Sequence, residues 1–378
     1  MISVPVVNSN FNLCASGCRW DQEQFPGLPS RWNVTAHRLT SGLSAGVDVL
    51  DVQTETIKLR ILVTRGLGIQ DLWVGGKRVG WDSPQLGPVH PQWVELDGEG
   101  GTGWLRGFSE WFVRCGIDSN GAPEANHPLH GRIANLPAES LFLDFDESKQ
   151  RIGIRGCVRE AGLYKPAFLL EAKIEVDLSR PELQVKDKVY NLSSKVADMQ
   201  MLYHINFGKP LLQKGSLVTA PLRELWPRDP QEKESILQWQ QQTAPDSNYI
   251  HQVYLAFLQA DAKGNTQVLL ENPTRDFGFG IQFNIKQLPC FCIWKNLASE
   301  GDGYVIGLEP STNFPFPKSV ARKLKQTVEL EPGKAWSSEL TLRFLEGSKE
   351  VGEFRRATAI LQKKPPKIHL EAFPLPEG

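Results

Sequence analysis

The sequence predicts an all-β protein built from large stacked antiparallel sheets, and three observations carry this. First, apolar and polar residues alternate over short segments. Ile57, Leu59 and Ile61 alternate with polar neighbours; Glu171–Leu178 alternates, turns at Ser179-Arg180-Pro181, and resumes at Leu183, Val185 and Val189. A period of two places one set of side chains on one face of a sheet, which is the pattern of a half-buried strand. Second, such segments are bounded mostly by Gly, Pro, Asn or Asp, the residues that turns require. Third, helical periodicity is clear in one place only, where Val351, Phe354, Ala357 and Ile360 recur before Lys364-Pro365-Pro366 ends the run. Many strands with few short helices imply a sandwich of stacked sheets.

In chain order, residues 1–40 carry few periodic signals and are expected as an arm or edge strands. One large domain is expected over 41–346, with strands at 141–146, 199–207, 267–271, 279–285, 289–295, 304–309, 327–330 and 338–344. Within it, 82–130 reads as a long loop holding Gly98, Gly100, Gly101, Gly103, Gly107 and Gly116 together with Trp93, Trp104 and Trp111. Loops of that length in a compact domain are usually functional or disordered, and the aromatic content argues against disorder. A helix and a Pro-rich tail are expected over 347–378.

Composition excludes several classes of function. Forty-two basic residues against 43 acidic ones leave a formal charge of -1, which is no footprint for nucleic acid or an anionic membrane. No apolar run approaches the roughly 20 residues of a membrane helix, and Met1-Ile2-Ser3-Val4-Pro5 lacks the basic and apolar regions of a signal peptide, so a cytoplasmic location is expected. The spacings Cys14-x3-Cys18 and Cys290-x-Cys292 are not those of a zinc ribbon; the six cysteines read as reduced, mostly buried thiols, and no metal or other cofactor is expected. Gly98-Glu99-Gly100-Gly101-Thr102-Gly103 lacks the Gly-Lys-Ser/Thr ending of a phosphate loop, and Gly107-Phe108-Ser109-Glu110 lacks the spacing of a serine nucleophile elbow.

Two residues stand out against this background. His204, in Tyr203-His204-Ile205-Asn206-Phe207, and Glu309, in Tyr304-Val305-Ile306-Gly307-Leu308-Glu309-Pro310, are ionisable groups in otherwise apolar strands. An unpaired charge there is costly, so each requires a partner or a chemical task, and together they suggest an acid and a base. Two further histidines, His127 and His130, fall in the dense polar group Asn126-His127-Pro128-Leu129-His130-Gly131-Arg132.

That polar group resembles the His-Gly segment of galactose mutarotase-like proteins, the aldose 1-epimerases and hexose-phosphate mutarotases. Tyr203–Phe207 is similar to their second histidine strand, and Cys292-Ile293-Trp294-Lys295-Asn296 followed by Tyr304–Pro310 to their Trp-Asn segment and base-bearing strand. Leu330-Glu331-Pro332-Gly333 resembles the turn before their last strand. The motifs occur in the family's order over roughly residues 45 to 345. The nearest resemblance is to a branch known as a domain of unknown function, the DUF4432 type, through Arg65-Gly66-Leu67-Gly68-Ile69 and Cys115-Gly116.

The resemblance implies a β-supersandwich of the galactose mutarotase-like type that binds a monosaccharide or modified sugar in an open cleft, as a monomer or homodimer, without a cofactor. It implies anomer interconversion by acid/base ring opening, with Glu309 as base, His204 as acid and His130 polarising the ring oxygen or binding a hydroxyl. His127, Arg132, Asn206, His251 and Trp294 are expected to contact the sugar, with Trp294, and Trp104 from the long loop, as stacking faces. One departure bears on substrate choice: where the family carries a carboxylate for sugar hydroxyls, this chain reads His251-Gln252-Val253-Tyr254. A histidine offers no bidentate acceptor. Two alternatives stay open, a sugar-binding protein without turnover and a glycoside hydrolase or lyase on a related sandwich, which would require a second carboxylate.

Overall fold

Alternation along the strands distributes the side chains over two stacked sheets in the computed structural model, which describes residues 1–28 and 31–376. Of the expected arm and tail, residues 29–30 and 377–378 lie outside the described residues. Among the described residues, ten strands form one sheet and fourteen the other. Every ladder is antiparallel except the short parallel pairing of Leu222–Pro227 with Lys367–Ile368.

The smaller sheet is centred on Ala138–Asp146, Arg151–Glu160, Phe168–Asp177, Glu182–Asn191 and Ala335–Glu346. The larger one runs through Gln252–Leu258, Cys290–Asn296, Val305–Ser311, Ala197–Phe207 and Phe112–Ile117 to Gly68–Val74 and the strands beyond it. Ile174, Val185 and Leu342 of the first sheet share one apolar core with Ile61, Tyr203 and Leu308 of the second. Each such aliphatic side chain taken fully out of water contributes roughly 1.5–3 kcal/mol, and this layer is where the sheets adhere.

The break in the Leu183, Val185, Val189 alternation has a physical cause. Asp187 occupies an inward position and receives two hydrogen bonds from Arg114 of the facing sheet, Nε at 2.6 Å and Nη2 at 2.9 Å. Both side chains are fully buried. Tyr203 donates its hydroxyl to the same carboxylate at 2.9 Å, and Arg114 Nη1 donates to the carbonyl of Leu67 at 2.8 Å. A buried ion pair needs this degree of saturation to offset its desolvation.

The expected loop 82–130 contains a strand, Phe112–Ile117, whose six residues are all buried. With both faces covered, it carries no alternation to signal a strand. The rest of the segment lies as short turns over the outer face of the larger sheet, where Trp81, Trp104 and Phe108 pack with Val113, Leu202 and Val305. The first 40 residues contribute strands to both sheets, Ile2–Asn8 to one and Asn33–Arg38 to the other. The helix Ser348–Leu361 buries Val351, Phe354 and Thr358, while Ile360 of the expected apolar stripe is 76% exposed. The tip of the Phe354 ring packs against Gly280, where a Cβ would stand 2.3 Å from its Cζ. Beyond the helix, His369 stacks on Trp226 with ring centroids 4.1 Å apart. Among the described residues, no helix is long and apolar enough to cross a membrane. All six cysteines are free; Cys115, Cys290 and Cys292 are buried and Cys157 half-buried, while Cys14 and Cys18 are exposed.

Replacing Arg114 by Met leaves the Asp187 carboxylate buried without its cation, and urea denaturation should show a loss of about 3–5 kcal/mol. The double variant Arg114→Met/Asp187→Leu should recover much of that loss; an Arg114→Met protein as stable as the parent would remove the pair from the list of inter-sheet ties.

Candidate active site

On the strand Ala197–Phe207, Tyr203, Ile205 and Phe207 point into the core, so His204 and Asn206 share the outer face. On the neighbouring strand Val305–Ser311, Ile306 and Leu308 point inward and Glu309 outward. The antiparallel register pairs Ile205 with Leu308 and Asn206 with Gly307, which brings His204 opposite Glu309. Their Nε2 and Oε1 atoms are 3.1 Å apart, with side chains 5% and 3% exposed.

Gly307 makes this meeting sterically feasible. A Cβ there would stand 2.6 Å from Glu309 Oε1, 2.9 Å from His204 Cε1 and 3.2 Å from the ring of Trp294, whose strand partner is Gly307. Three side chains converge over the space that a missing side chain leaves.

The hydrogen-bond pattern fixes the protons. Asn206 donates its amide to the carbonyl of Glu110 at 2.9 Å, which turns its Oδ1 toward His204 Nδ1 at 2.6 Å. An amide oxygen only accepts, so Nδ1 carries the hydrogen and Nε2 of the neutral ring presents a lone pair to Glu309. Burial, and secondarily the neighbouring His130, holds the His204 pKa well below its usual value. Burial pushes Glu309 up to about 8, against a smaller opposite pull from Arg228. At neutral pH the pair therefore holds one proton, resting on Glu309.

His130 adopts a left-handed backbone with φ of 57° and brings its ring edge-on to His204, centroids 5.5 Å apart. Its Nδ1 donates to the carbonyl of Asn120 at 3.0 Å, which leaves Nε2 as an acceptor; burial lowers its pKa to about 4. These groups lie along a cavity of about 330 Å³ whose apolar walls include Trp104, Phe108, Val253 and Trp294. That volume is in the range of small-molecule sites. His251 lies at its exposed rim.

Three expected sugar contacts are placed otherwise. Asn206 is fully buried behind His204 and acts on the imidazole, not toward the cavity. His127 and Arg132 line a different cavity, where His127 meets Asp118 at 3.0 Å and Arg132 meets Asp97 at 2.6 Å. The turn at His130 and Gly131, both at positive φ, directs their neighbours away from the site. Sequence reasoning missed Arg228, which lines the cavity and is held by Asp229 at 2.6 Å. It sits outside the strands in Trp226-Pro227-Arg228-Asp229-Pro230, where nothing distinguishes it from a surface arginine.

The model of the DUF4432 family, a domain of unknown function, matches residues 44–344. The chain belongs to the DUF4432 family. Among solved structures, this DUF4432 protein is similar to a putative aldose 1-epimerase from Klebsiella pneumoniae, with 27% identity, all of both chains covered and a TM-score of 0.96. It also resembles a galactose mutarotase-like protein from Clostridium acetobutylicum (14% identity, 83% of this chain and 98% of that one, TM-score 0.57). A third is a galactose 1-epimerase from Lactobacillus acidophilus (11% identity, 84% and 99% covered, TM-score 0.53). No curated protein sequence matches. The fold is thus the galactose mutarotase-like sandwich, in agreement with the motifs.

Because Glu309 is protonated in the folded chain up to about pH 8 and ionised in the unfolded chain above its ordinary 4.5, its contribution to stability is complete below pH 4.5 and is lost as pH rises to 8. Relative to Glu309→Gln, the parent should lose about 1.4 kcal/mol per pH unit across that window and no more above it, as read by denaturation at a series of pH values. A constant difference would contradict the assigned proton. Gly307→Ala should displace the pair and cut any activity of the site while leaving the charges unchanged.

Proposed function

We propose that the protein is an aldose 1-epimerase-like isomerase that interconverts the anomers of a monosaccharide or modified sugar. The observation that carries this reading is the His204–Glu309 contact, an imidazole nitrogen and a carboxyl oxygen 3.1 Å apart at an apolar-walled cavity. The two oxygens that exchange protons in mutarotation are borne by the same anomeric carbon. An acid and a base side by side suit them better than a pair on opposite sides of the ring.

In the first transfer, Glu309 gives its proton to the ring oxygen as the bond from that oxygen to the anomeric carbon breaks. His204 Nε2 takes the proton of the anomeric hydroxyl, and the carbonyl forms. After rotation, the imidazolium returns its proton to the carbonyl oxygen while the Glu309 carboxylate takes the ring hydroxyl proton, and the ring closes on the other face. The expected roles, Glu309 as base and His204 as acid, are exchanged in the first transfer and restored in the second. Asn206 stabilises the imidazolium through its Nδ1–H, and the adjacent carboxylate opposes its charge.

His130, as an acceptor only, serves a substrate hydroxyl and not the ring oxygen. Trp294 and Trp104 offer apolar faces to the C–H side of a sugar. Glu309 is the one carboxylate among the described residues of the cavity wall, so the two-carboxylate requirement of most glycoside hydrolases has no support here.

Anomer exchange measured by saturation-transfer NMR over a panel of aldoses, uronates and sugar phosphates tests the reading. The parent should exceed the buffer rate on at least one sugar, and Glu309→Gln and His204→Asn should each reduce that rate by about 100-fold or more. The rate should fall above pH 8, where the pair loses its shared proton. Sugar binding without exchange would instead favour a binding protein, and a product of lower mass a hydrolase or lyase.

A further inference from the structure

The two strands that present Val253 and Trp294 to the catalytic cavity carry Gln252 and Lys295 on their opposite face, as cross-strand partners. Gln252 and Lys295 open into a separate cavity of about 410 Å³. Among its described lining residues are two lysines, Lys214 and Lys295, and no Asp or Glu.

Lys295 is 3% exposed, and its ammonium donates to the carbonyls of Gln241 at 2.9 Å and Gln238 at 3.5 Å. An ammonium has three hydrogens, so one is left without an oxygen acceptor, with the Tyr254 ring centroid 5.5 Å from the nitrogen. Gln252 is clamped with its Oε1 accepting from Tyr249 at 2.7 Å and Tyr254 at 2.8 Å, and its Nε2 donating to Ser235 at 2.8 Å. That orientation leaves a second amide hydrogen unused. Gln242, 2% exposed, donates Nε2 to the carbonyl of Gln240 at 3.1 Å, which fixes its amide; its Oε1 is buried without a partner. A buried polar atom without a partner costs about 1–3 kcal/mol, so the cavity is short of a donor at one point and of an acceptor at another.

We propose that this cavity is a binding site for a small hydroxylated anion, its carboxylate or phosphate received by Lys295 and Gln252 and one of its hydroxyls donating to Gln242 Oε1. A neutral sugar lacks the charge for Lys295, and a simple carboxylate lacks the hydroxyl for Gln242. The site does not depend on the mutarotase reading, since the ligand and the catalytic pair lie on opposite faces of the same strands. Burial pushes the Lys295 pKa down to about 7. An anion beside it favours the charged form, so binding above pH 7 draws a proton. Lys214 and Tyr249 also line the cavity, Tyr254 reaches Gln252 beside it, and Glu232 acts on both tyrosines, so the proton must be assigned by substitution.

Isothermal titration of D-gluconate and of glycerol 3-phosphate at pH 8, in two buffers of different ionisation enthalpy, tests this, with glucose as the neutral control. Expected are saturable binding of at least one anion with proton uptake, a loss of about tenfold or more in affinity with Lys295→Met, and disappearance of the uptake in that variant. Gln242→Leu, which keeps the lysine, should weaken binding while the uptake persists, and Arg228→Met in the catalytic cavity should leave both unchanged. Absence of binding by either anion, equal affinity in Lys295→Met, or binding abolished by Arg228→Met would overturn the proposal.

Discussion

The hydrogen bond from His204 Nδ1 to Asn206 Oδ1 decides where the proton of the candidate site resides. Asn206 has no freedom to reverse its amide, because its nitrogen serves the carbonyl of Glu110. Glu110 is in turn immobilised by Arg65, which donates to its carboxylate, to the carbonyls of Val89 and Gly107, and to the Asn135 side chain. Both Arg65 and Glu110 are buried. The long covering segment, the asparagine and the imidazole thus form one continuous polar chain, and its last free atom is the lone pair of His204 that meets Glu309. On the path from Arg65 to the imidazole each link is a hydrogen bond, while the Asn135 amide nitrogen at its side is buried without a partner.

The larger sheet faces two different surroundings. Its inner face packs on the smaller sheet, where Arg114, Asp187, Tyr203 and Ser338 hydrogen-bond to one another. Its outer face is roofed by turns that carry Trp104 and Phe108 and leave a cavity. There Glu309 Oε1 lacks a hydrogen-bond donor even though His204 Nε2 is 3.1 Å away. The contact is thus a close approach without a hydrogen bond, tolerated because a neutral imidazole faces a carboxyl group that burial keeps protonated. Adjacent residues of one strand, Tyr203 and His204, accordingly belong to the inter-sheet packing on one face and to the candidate site on the other.

His204 and Glu309 were legible because they are ionisable residues in strands otherwise apolar, and a period of two predicts which neighbours share their face. The same logic failed for Asn126–Arg132, where left-handed residues at His130 and Gly131 break the alternation and turn His127 and Arg132 into another cavity. Asn206 was correctly grouped with His204, but a linear pattern cannot tell a residue that touches substrate from one that holds the residue that does. Arg228 and the glycine floor at Gly307 arise from contacts distant in sequence and have no local signature. The strand Phe112–Ile117 was hidden for the opposite reason: burial on both sides removed the periodicity that would have revealed it.

Similarity to mutarotase-like structures accounts for the sandwich, but the proposed chemistry rests on where one proton resides between two buried groups. Nitrogen-15 NMR of His204 in the uniformly labelled protein reads that proton directly. At pH 7 the account predicts a neutral imidazole with hydrogen on Nδ1 and a bare, acceptor-type Nε2, whose shift changes near pH 8 as Glu309 ionises. An imidazolium with both nitrogens protonated at pH 7 would contradict it, because the resting proton would then sit on the histidine and the carboxylate would already be charged.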